Sequence, residues 1–417
     1  MDKIVIEGGR PLQGRVTISG AKNAVLPILA ATLLTTGENE ILAAPEVQDV
    51  STMVHLLVEL GARICTFADE RIVLDTAQVD NYEAPYDLVR TMRASCLVLG
   101  PLLARLGRAR VSLPGGCAIG ARPIDLHIKG LEAMGAKFEL DGGYVNATAA
   151  RLRGTRFYFD TVTVTGTANL MMAAVLAEGE TVLENAAREP EISFLAETLN
   201  QSGADIRGAG TDVITIRGVS SLRPLRCRIF PDRIETATYV IAGAITRGDV
   251  EVANCIPAHI EPLLVKLRQA GVCVEEKENT IKVSGNGSLH GVPIHTQPHP
   301  GFATDIQAQF MALMTVAEGQ SIITESVFEN RFMHVAELRR MGADITVHGN
   351  TAIVSGVKEL RAAPVMATDL RASASLVLAG LAAHGESVIS RVYHIDRGYV
   401  AMEKKMSQLG ARIRRVR

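Results

Sequence analysis

Stretches in which apolar residues return every three to four positions end, six times along the chain, on a glycine followed by a short alternating run. The six junctions are Leu60-Gly61-Ala62-Arg63, Met134-Gly135-Ala136-Lys137, Ser202-Gly203-Ala204-Asp205, Ala270-Gly271-Val272-Cys273, Met341-Gly342-Ala343-Asp344 and Leu409-Gly410-Ala411-Arg412. A glycine in this place supplies the left-handed backbone that closes a helix, and β-favouring residues behind it start a strand. These glycines lie 74, 68, 68, 71 and 68 residues apart, so one unit of about 70 residues recurs. A second series, Gly37, Gly107, Gly179, Gly248, Gly319 and Gly385, closes an Ala- and Leu-rich stretch earlier in each unit. Each unit is therefore expected to hold two helices and three or four strands. Such units are longer than the roughly 20 to 45 residues of solenoid repeats, and each has enough strand for its own sheet. The expectation is an α/β protein whose six repeats group three by three into two globular domains.

Composition narrows the class. Across 417 residues, 47% hydrophobic and 21% charged, disorder and collagen-like repetition are excluded. Forty-three basic residues against 45 acidic give a formal net charge of −2, which lacks the electrostatic footprint of a nucleic-acid binder. Any anion site is then local. No apolar run approaches the roughly 18 residues of a membrane span, and the opening Met1-Asp2-Lys3-Ile4-Val5-Ile6-Glu7 alternates like a strand, not like a secretory leader. A soluble, cytoplasmic protein without a membrane partner is expected. The cysteines at 65, 96, 117, 227, 255 and 273 show no C-x-x-C spacing, so neither a zinc knuckle nor a dithiol redox pair is expected. The absence of Trp and the 4% aromatic content argue against base-stacking platforms and aromatic sugar-binding faces.

The two glycine series are 24, 28, 24, 23, 23 and 25 residues apart within successive units, so the second unit is longer. Its surplus falls in Pro114-Gly115-Gly116-Cys117-Ala118-Ile119-Gly120-Ala121-Arg122-Pro123, and loops are where a scaffold carries chemistry. Gly115-x4-Gly120 resembles the opening of a phosphate-binding P-loop, but Ala121-Arg122 stands where Lys and then Ser or Thr are needed. What survives is a glycine-rich turn able to receive an anion, with a guanidinium that grips phosphate or carboxylate bidentately. Cys117 sits in its middle without apolar neighbours, where backbone donors and positive charge favour the thiolate. The other five cysteines read as inert buried residues.

Lys22, in Gly20-Ala21-Lys22-Asn23-Ala24, stands where the first helix should start and opposes the positive end of its dipole. Either the lysine is simply solvated or an anion is shared between them. Arg93 and Arg371 hold corresponding positions in other units, and Arg397 comes from a polar loop of the sixth; the grouping suits a substrate with several negative charges. Asp305 is the acid–base candidate, with a helix-capping carboxylate as the alternative, since Thr304-Asp305 looks like a cap and first turn. His295 and His299 have H-x3-H spacing, but Pro298 and Pro300 prevent the helix that would aim both rings at one metal. No metal and no cofactor are expected. The arginines of the last strand, Arg412-Ile413-Arg414-Arg415-Val416-Arg417, read as a solvated face.

Gly20-Ala21-Lys22-Asn23-Ala24, Thr91-Met92-Arg93-Ala94-Ser95, the Cys117 loop, Glu184-Asn185-Ala186-Ala187-Arg188-Glu189-Pro190-Glu191, Phe328-Glu329-Asn330-Arg331-Phe332 and His394-Ile395-Asp396-Arg397-Gly398-Tyr399 together resemble the enolpyruvyl transferase family, in particular the branch acting on UDP-N-acetylglucosamine. The resemblance runs over the whole chain. The cysteine loop marks this branch, whereas the six-unit organisation is shared with the shikimate-pathway relatives.

The resemblance implies two inside-out α/β barrels of three units each, residues 21–229 and residues 1–20 with 230–417, with the active site in the cleft between them. It implies transfer of enolpyruvyl from phosphoenolpyruvate to the 3′-hydroxyl of UDP-N-acetylglucosamine, the first committed step of peptidoglycan synthesis, through a tetrahedral ketal. By matching position, Lys22, Asn23, Arg122 and Arg397 would bind phosphoenolpyruvate, with Arg93 and Arg371 completing a cationic wall. Cys117 would protonate the methylene carbon and Asp305 would accept the sugar hydroxyl proton. Asn23, Arg93, Arg122, Pro123, Ile124, Asp125, Leu126, Asp305 and Val327 would contact the sugar nucleotide. Some members place a lysine beside the diphosphate where this chain has Asp160-Thr161-Val162, so a contact from Thr163 to Gly166 is not carried over. Another acceptor, such as shikimate 3-phosphate, or a non-catalytic sugar-nucleotide sensor are the alternatives. The oligomeric state is not set by the sequence.

Overall fold

The computed structural model describes residues 2–90, 92–112, 124–285 and 287–417. Apart from residues 113–123, the chain divides into two compact units, one formed by the residues up to Ser19 with Pro231–Arg417, the other by Gly20–Phe230.

Six four-stranded sheets carry the repeat, and all have one topology. In the second repeat, Glu83–Ala84 runs parallel to Arg108–Ser112, which pairs antiparallel with Tyr144–Thr148, which in turn pairs antiparallel with Lys137–Asp141. A helical crossover joins the parallel pair and a turn joins the last two strands, so the second, third and fifth repeats run β-α-β-α-β-β in continuous chain, while the other three keep the same strand pairing with one strand supplied from elsewhere. Four strands per repeat is thus the upper of the two numbers expected.

The first helix of each repeat is mostly apolar and is buried along most of its length, as a helix apolar on most faces must be. In Gly20–Phe230 these helices are Lys22–Ala31, Leu99–Leu106 and Val164–Ala174; in the other unit they are Arg233–Ile245, Thr304–Met314 and Leu370–Ala382. Strands such as Thr280–Ser284 bury alternate residues, as expected of a sheet with one face on the core and one towards water. Helices therefore lie inside and sheets outside in each unit, as the inside-out α/β expectation requires.

Gly61, Gly135, Gly203, Gly271, Gly342 and Gly410 all have φ between 89° and 112°, the left-handed cap read from the sequence. Gly248 is the exception in the other series. There the left-handed residue is Arg247, at φ 52°, and Gly248 is needed because a Cβ would lie 2.1 Å from the Leu12 carbonyl oxygen.

Three sheets are completed from far along the chain. Gln13–Thr17 lies parallel to Asp249–Ala253. Lys3–Glu7 inserts between Glu386–Ser390 and Arg412–Val416, antiparallel to both. Arg226–Arg228 lies parallel to Glu38–Leu42, with Cys227 opposite Ile41. The terminal arginines are not a merely solvated face. Arg412 pairs with Glu7 and Arg414 with Glu386, while Arg415 forks across Asp396 at 2.6 and 2.9 Å and also reaches Glu403 and Asp2.

Candidate active site

In the unit Gly20–Phe230, Lys22 is the first residue of its helix, whose cap, Ala21, offers no side-chain acceptor. The missing anion is internal. Lys22 Nζ donates to Asp49 Oδ2 at 3.1 Å, and both side chains are buried. The solvated-lysine alternative is thereby excluded. Asn23, next to it, is half-buried. Arg93 opens the short 3-10 segment Arg93–Val98, and its charge is felt by both Cys96 and His127.

Ile124 precedes the helix Asp125–Ala133, with Asp125 exposed in its first turn and Leu126 half-buried. Behind them His127 is buried. Its Nδ1 faces Asn169 Nδ2 at 2.9 Å and its Nε2 faces Thr165 Oγ1 at 3.2 Å. Asn169 is itself fixed, donating to the Cys96 carbonyl at 3.1 Å and accepting from Gly100 N at 2.7 Å. With the amide donating to Nδ1, the ring proton sits on Nε2 and is given to Thr165. His127 thereby ties residues 124–126 to the start of the helix Val164–Ala174, where Thr163 Oγ1 accepts from Gly166 N at 3.2 Å. The stretch from Thr163 to Gly166, which the sequence pattern left aside, is brought beside the predicted sugar-nucleotide contacts.

Burial, then the Arg93 charge, push the His127 imidazole down to about 4, against the pull of Asp125. The unfolded chain takes that proton near pH 6.5, so between pH 6.5 and about 4 the unfolded state binds more protons and stability falls as pH falls. The slope reaches about 1.4 kcal/mol per pH unit for this one group. Denaturation of the wild type and of His127→Gln across this range should show a slope smaller by one proton in the variant. Equal slopes would mean that the folded ring takes the proton.

In the other unit, Asp305 lies in the first turn of Thr304–Met314, but the helix has no side-chain cap. The capping alternative is corrected: Asp305 Oδ1 accepts from Arg331 Nη2 at 2.8 Å and Oδ2 from Arg371 Nη2 at 2.9 Å. Both arginines are almost fully buried, at 3% and 5% exposure. Asp369 fixes Arg371 by capping its helix, accepting from Arg371 N at 2.9 Å and Ala372 N at 3.1 Å. Burial works against the charge on Arg371, yet Asp305, with Tyr399 and Asp232 behind it, holds the guanidinium above its usual value. Arg397 follows the short helix Tyr393–Asp396, and burial and then Arg397 lower the imidazole of His394. Val327 is exposed in the turn after Gln320–Thr324.

Arg331 was absent from the residues singled out individually; it stood only inside the quoted Phe328–Phe332 pattern. No local spacing links it to Asp305, 26 positions away. Arg233, first residue of Arg233–Ile245, is a further cationic helix start in addition to Lys22, Arg93 and Arg371. Cys117, Arg122 and Pro123 lie outside the described residues. Of the remaining cysteines, burial raises Cys96 to about 11, Cys227 to about 12 and Cys255 to about 11. Cys65 and Cys273 depart from the buried reading, being exposed on their strands.

Among the described residues, no cluster of three or more His, Cys, Asp or Glu could hold a metal ion, and no helix is long and apolar enough to cross a membrane.

A family model described as EPSP synthase (3-phosphoshikimate 1-carboxyvinyltransferase) matches residues 6–406. The chain belongs to this family of enolpyruvyl transferases. Within it, the protein named UDP-N-acetylglucosamine 1-carboxyvinyltransferase from Desulfatibacillum aliphaticivorans is 59% identical over 417 residues, and that from Thermodesulfovibrio yellowstonii 58% over 418, with 100% of both chains covered in each case. The resemblance drawn from the sequence patterns is therefore borne out. The crystal structure of the enolpyruvyl transferase NikO from Streptomyces tendae superposes with a TM-score of 0.90 at 26% identity, covering 100% of this chain and 99% of that one. EPSP synthase from Acinetobacter baumannii, at 20% identity and full coverage of both chains, shares the fold with a TM-score of 0.80.

Proposed function

We propose that this chain transfers the enolpyruvyl group of phosphoenolpyruvate to the 3′-hydroxyl of UDP-N-acetylglucosamine in the cytoplasm, the committing step of peptidoglycan synthesis. Full-length identity to relatives named for that reaction carries the reading, and the cluster of half-buried Asp305 with the buried Arg331 and Arg371 supports it. In the addition step the sugar oxygen bonds to C2 of phosphoenolpyruvate, Asp305 takes the hydroxyl proton, and Cys117 gives a proton to C3. The tetrahedral ketal then loses phosphate from C2 and a proton from C3, which restores the vinyl group.

Lys22, Asn23, Arg122 and Arg397 hold the phosphate and carboxylate of phosphoenolpyruvate, with Arg93 and Arg371 in the cationic wall. Such fixed cations offset developing negative charge without reorganising. Pro123, Ile124, Asp125, Leu126 and Val327 contact the sugar nucleotide. Phosphate release from phosphoenolpyruvate, assayed with UDP-N-acetylglucosamine and with shikimate 3-phosphate in turn, tests the assignment. Release is expected with the first acceptor. Release with the second alone would identify a different transferase, and release with neither would leave a binding protein.

A further inference from the structure

We propose that Glu325 is the positioning residue of the acceptor side of the site, holding the Val327 turn and the start of the Asp305 helix in one register. The inference rests on the functional reading above, in which Val327 and Asp305 both meet the sugar nucleotide. Glu325 follows the strand Gln320–Thr324 and is 3% exposed. Its Oε1 accepts from Thr296 Oγ1 at 2.8 Å, Val327 N at 2.8 Å and Phe328 N at 3.1 Å, and its Oε2 accepts from Thr304 Oγ1 at 2.9 Å. One buried carboxylate thus gathers four donors, two from the turn just after it and two, Thr296 and Thr304, from 29 and 21 positions earlier in the chain. Hydrogen bonds to an ionised acceptor are roughly twice as strong as neutral ones, and a buried carboxylate without such donors is costly.

The contacts form a closed circuit. Glu325 fixes the backbone of Phe328, the Phe328 ring lies 5.2 Å from the Arg331 guanidinium, Arg331 holds Asp305 Oδ1, and Thr304, next to Asp305, returns to Glu325. The anchor is itself braced. Thr296 Oγ1 accepts from Ser326 N at 3.0 Å, Ser326 Oγ donates to the Thr296 carbonyl, and Glu325 N donates to the Asn350 carbonyl at 2.8 Å. Glu325 itself bonds none of the cations assigned to phosphoenolpyruvate, and Arg371 is reached only through Asp305, so the larger defect falls on the acceptor.

The test compares Glu325→Ala, Glu325→Gln and Thr304→Val by steady-state kinetics and by hydrogen exchange of the substrate-free protein. Glu325→Ala should raise KM for UDP-N-acetylglucosamine by about 10-fold or more and lower kcat, with KM for phosphoenolpyruvate within about 2-fold, because a misplacement near 1 Å costs up to about 10²-fold. Glu325→Gln should be within about 3-fold of wild type, since the amide oxygen keeps the three Oε1 donors and its nitrogen can donate to Thr304. Thr304→Val, which cuts the circuit at its other end, should shift the acceptor KM in the same direction. Exchange of the Val327 and Phe328 amides should quicken at least 10-fold in Glu325→Ala. If Glu325→Ala does not fold, Thr304→Val decides: an unchanged acceptor KM overturns the proposal. Equal losses for both substrates, or unchanged exchange at Val327 and Phe328, also overturn it. A wild type inactive with UDP-N-acetylglucosamine would instead defeat the functional reading, while the exchange result stands apart from it.

Discussion

Asp305→Asn should leave both substrates bound with KM values little changed while kcat falls by a factor on the order of 10² or more, the usual range for loss of a general base. The amide keeps an oxygen that can accept a hydrogen bond, so the sugar hydroxyl still has a neighbour, but it cannot take the proton away as the new C–O bond forms. The structure adds a second expectation. Asp305 is held between two buried guanidiniums, and the asparagine nitrogen would face one of them as a second donor. Leaving a buried charge without its partner costs several kcal/mol, so the thermal midpoint of the variant should fall as well. Normal turnover in Asp305→Asn, measured by phosphate release, would remove Asp305 from the chemistry and leave it a purely structural link between Arg331 and Arg371.

The second large effect concerns Cys117. Cys117→Ala should abolish most of the turnover, whereas Cys117→Asp should keep part of it, because a carboxyl group can also carry a proton to carbon. The same thiol should be alkylated first near neutral pH. Cys96, Cys227 and Cys255 should lag behind it, since burial raises all three thiols to about 11 or 12. The fair rivals are Cys65 and Cys273, which are exposed. Phosphoenolpyruvate should alter the labelling rate by setting its phosphate and carboxylate against the cations that favour the thiolate. Peptide mapping that found Cys65 or Cys273 modified first, or normal turnover by the alanine variant, would withdraw the assignment.

The repeat could be read from the chain because its punctuation is local: a helix that must end in a left-handed residue advertises this with glycine, six times over. Closure of the repeats could not. Lys3–Glu7 pairs with residues almost the whole chain away, and Arg226–Arg228 pairs with Glu38–Leu42; a strand's partner leaves no mark in its own few residues. The site divides the same way. Lys22, Arg93 and Arg371 stood out because a cation at a helix start is locally unfavourable, yet the anion that answers Lys22 is Asp49, on the next helix. Thr304-Asp305 had the spacing of a cap, but the hydroxyl turns to Glu325 and the carboxylate to two arginines. Arg331 and Glu325 carry no spacing signal because their meaning lies in contacts across the fold.

The strand that completes the sixth sheet also sets an order of events during synthesis. Gly20–Phe230 can close as soon as Arg226–Arg228 has left the ribosome and paired with Glu38–Leu42. Lys3–Glu7, made before that unit, must wait for Arg412–Val416, made well after it. At about 5–20 residues per second, that wait extends roughly 10–40 s beyond completion of the other unit. Throughout it, a strand with Ile4 and Ile6 destined for full burial has neither neighbour, the condition in which edge strands find wrong partners. A nascent-chain holdase therefore has Lys3–Glu7 to shield, and for a shorter time Gln13–Thr17, which waits for Asp249–Ala253.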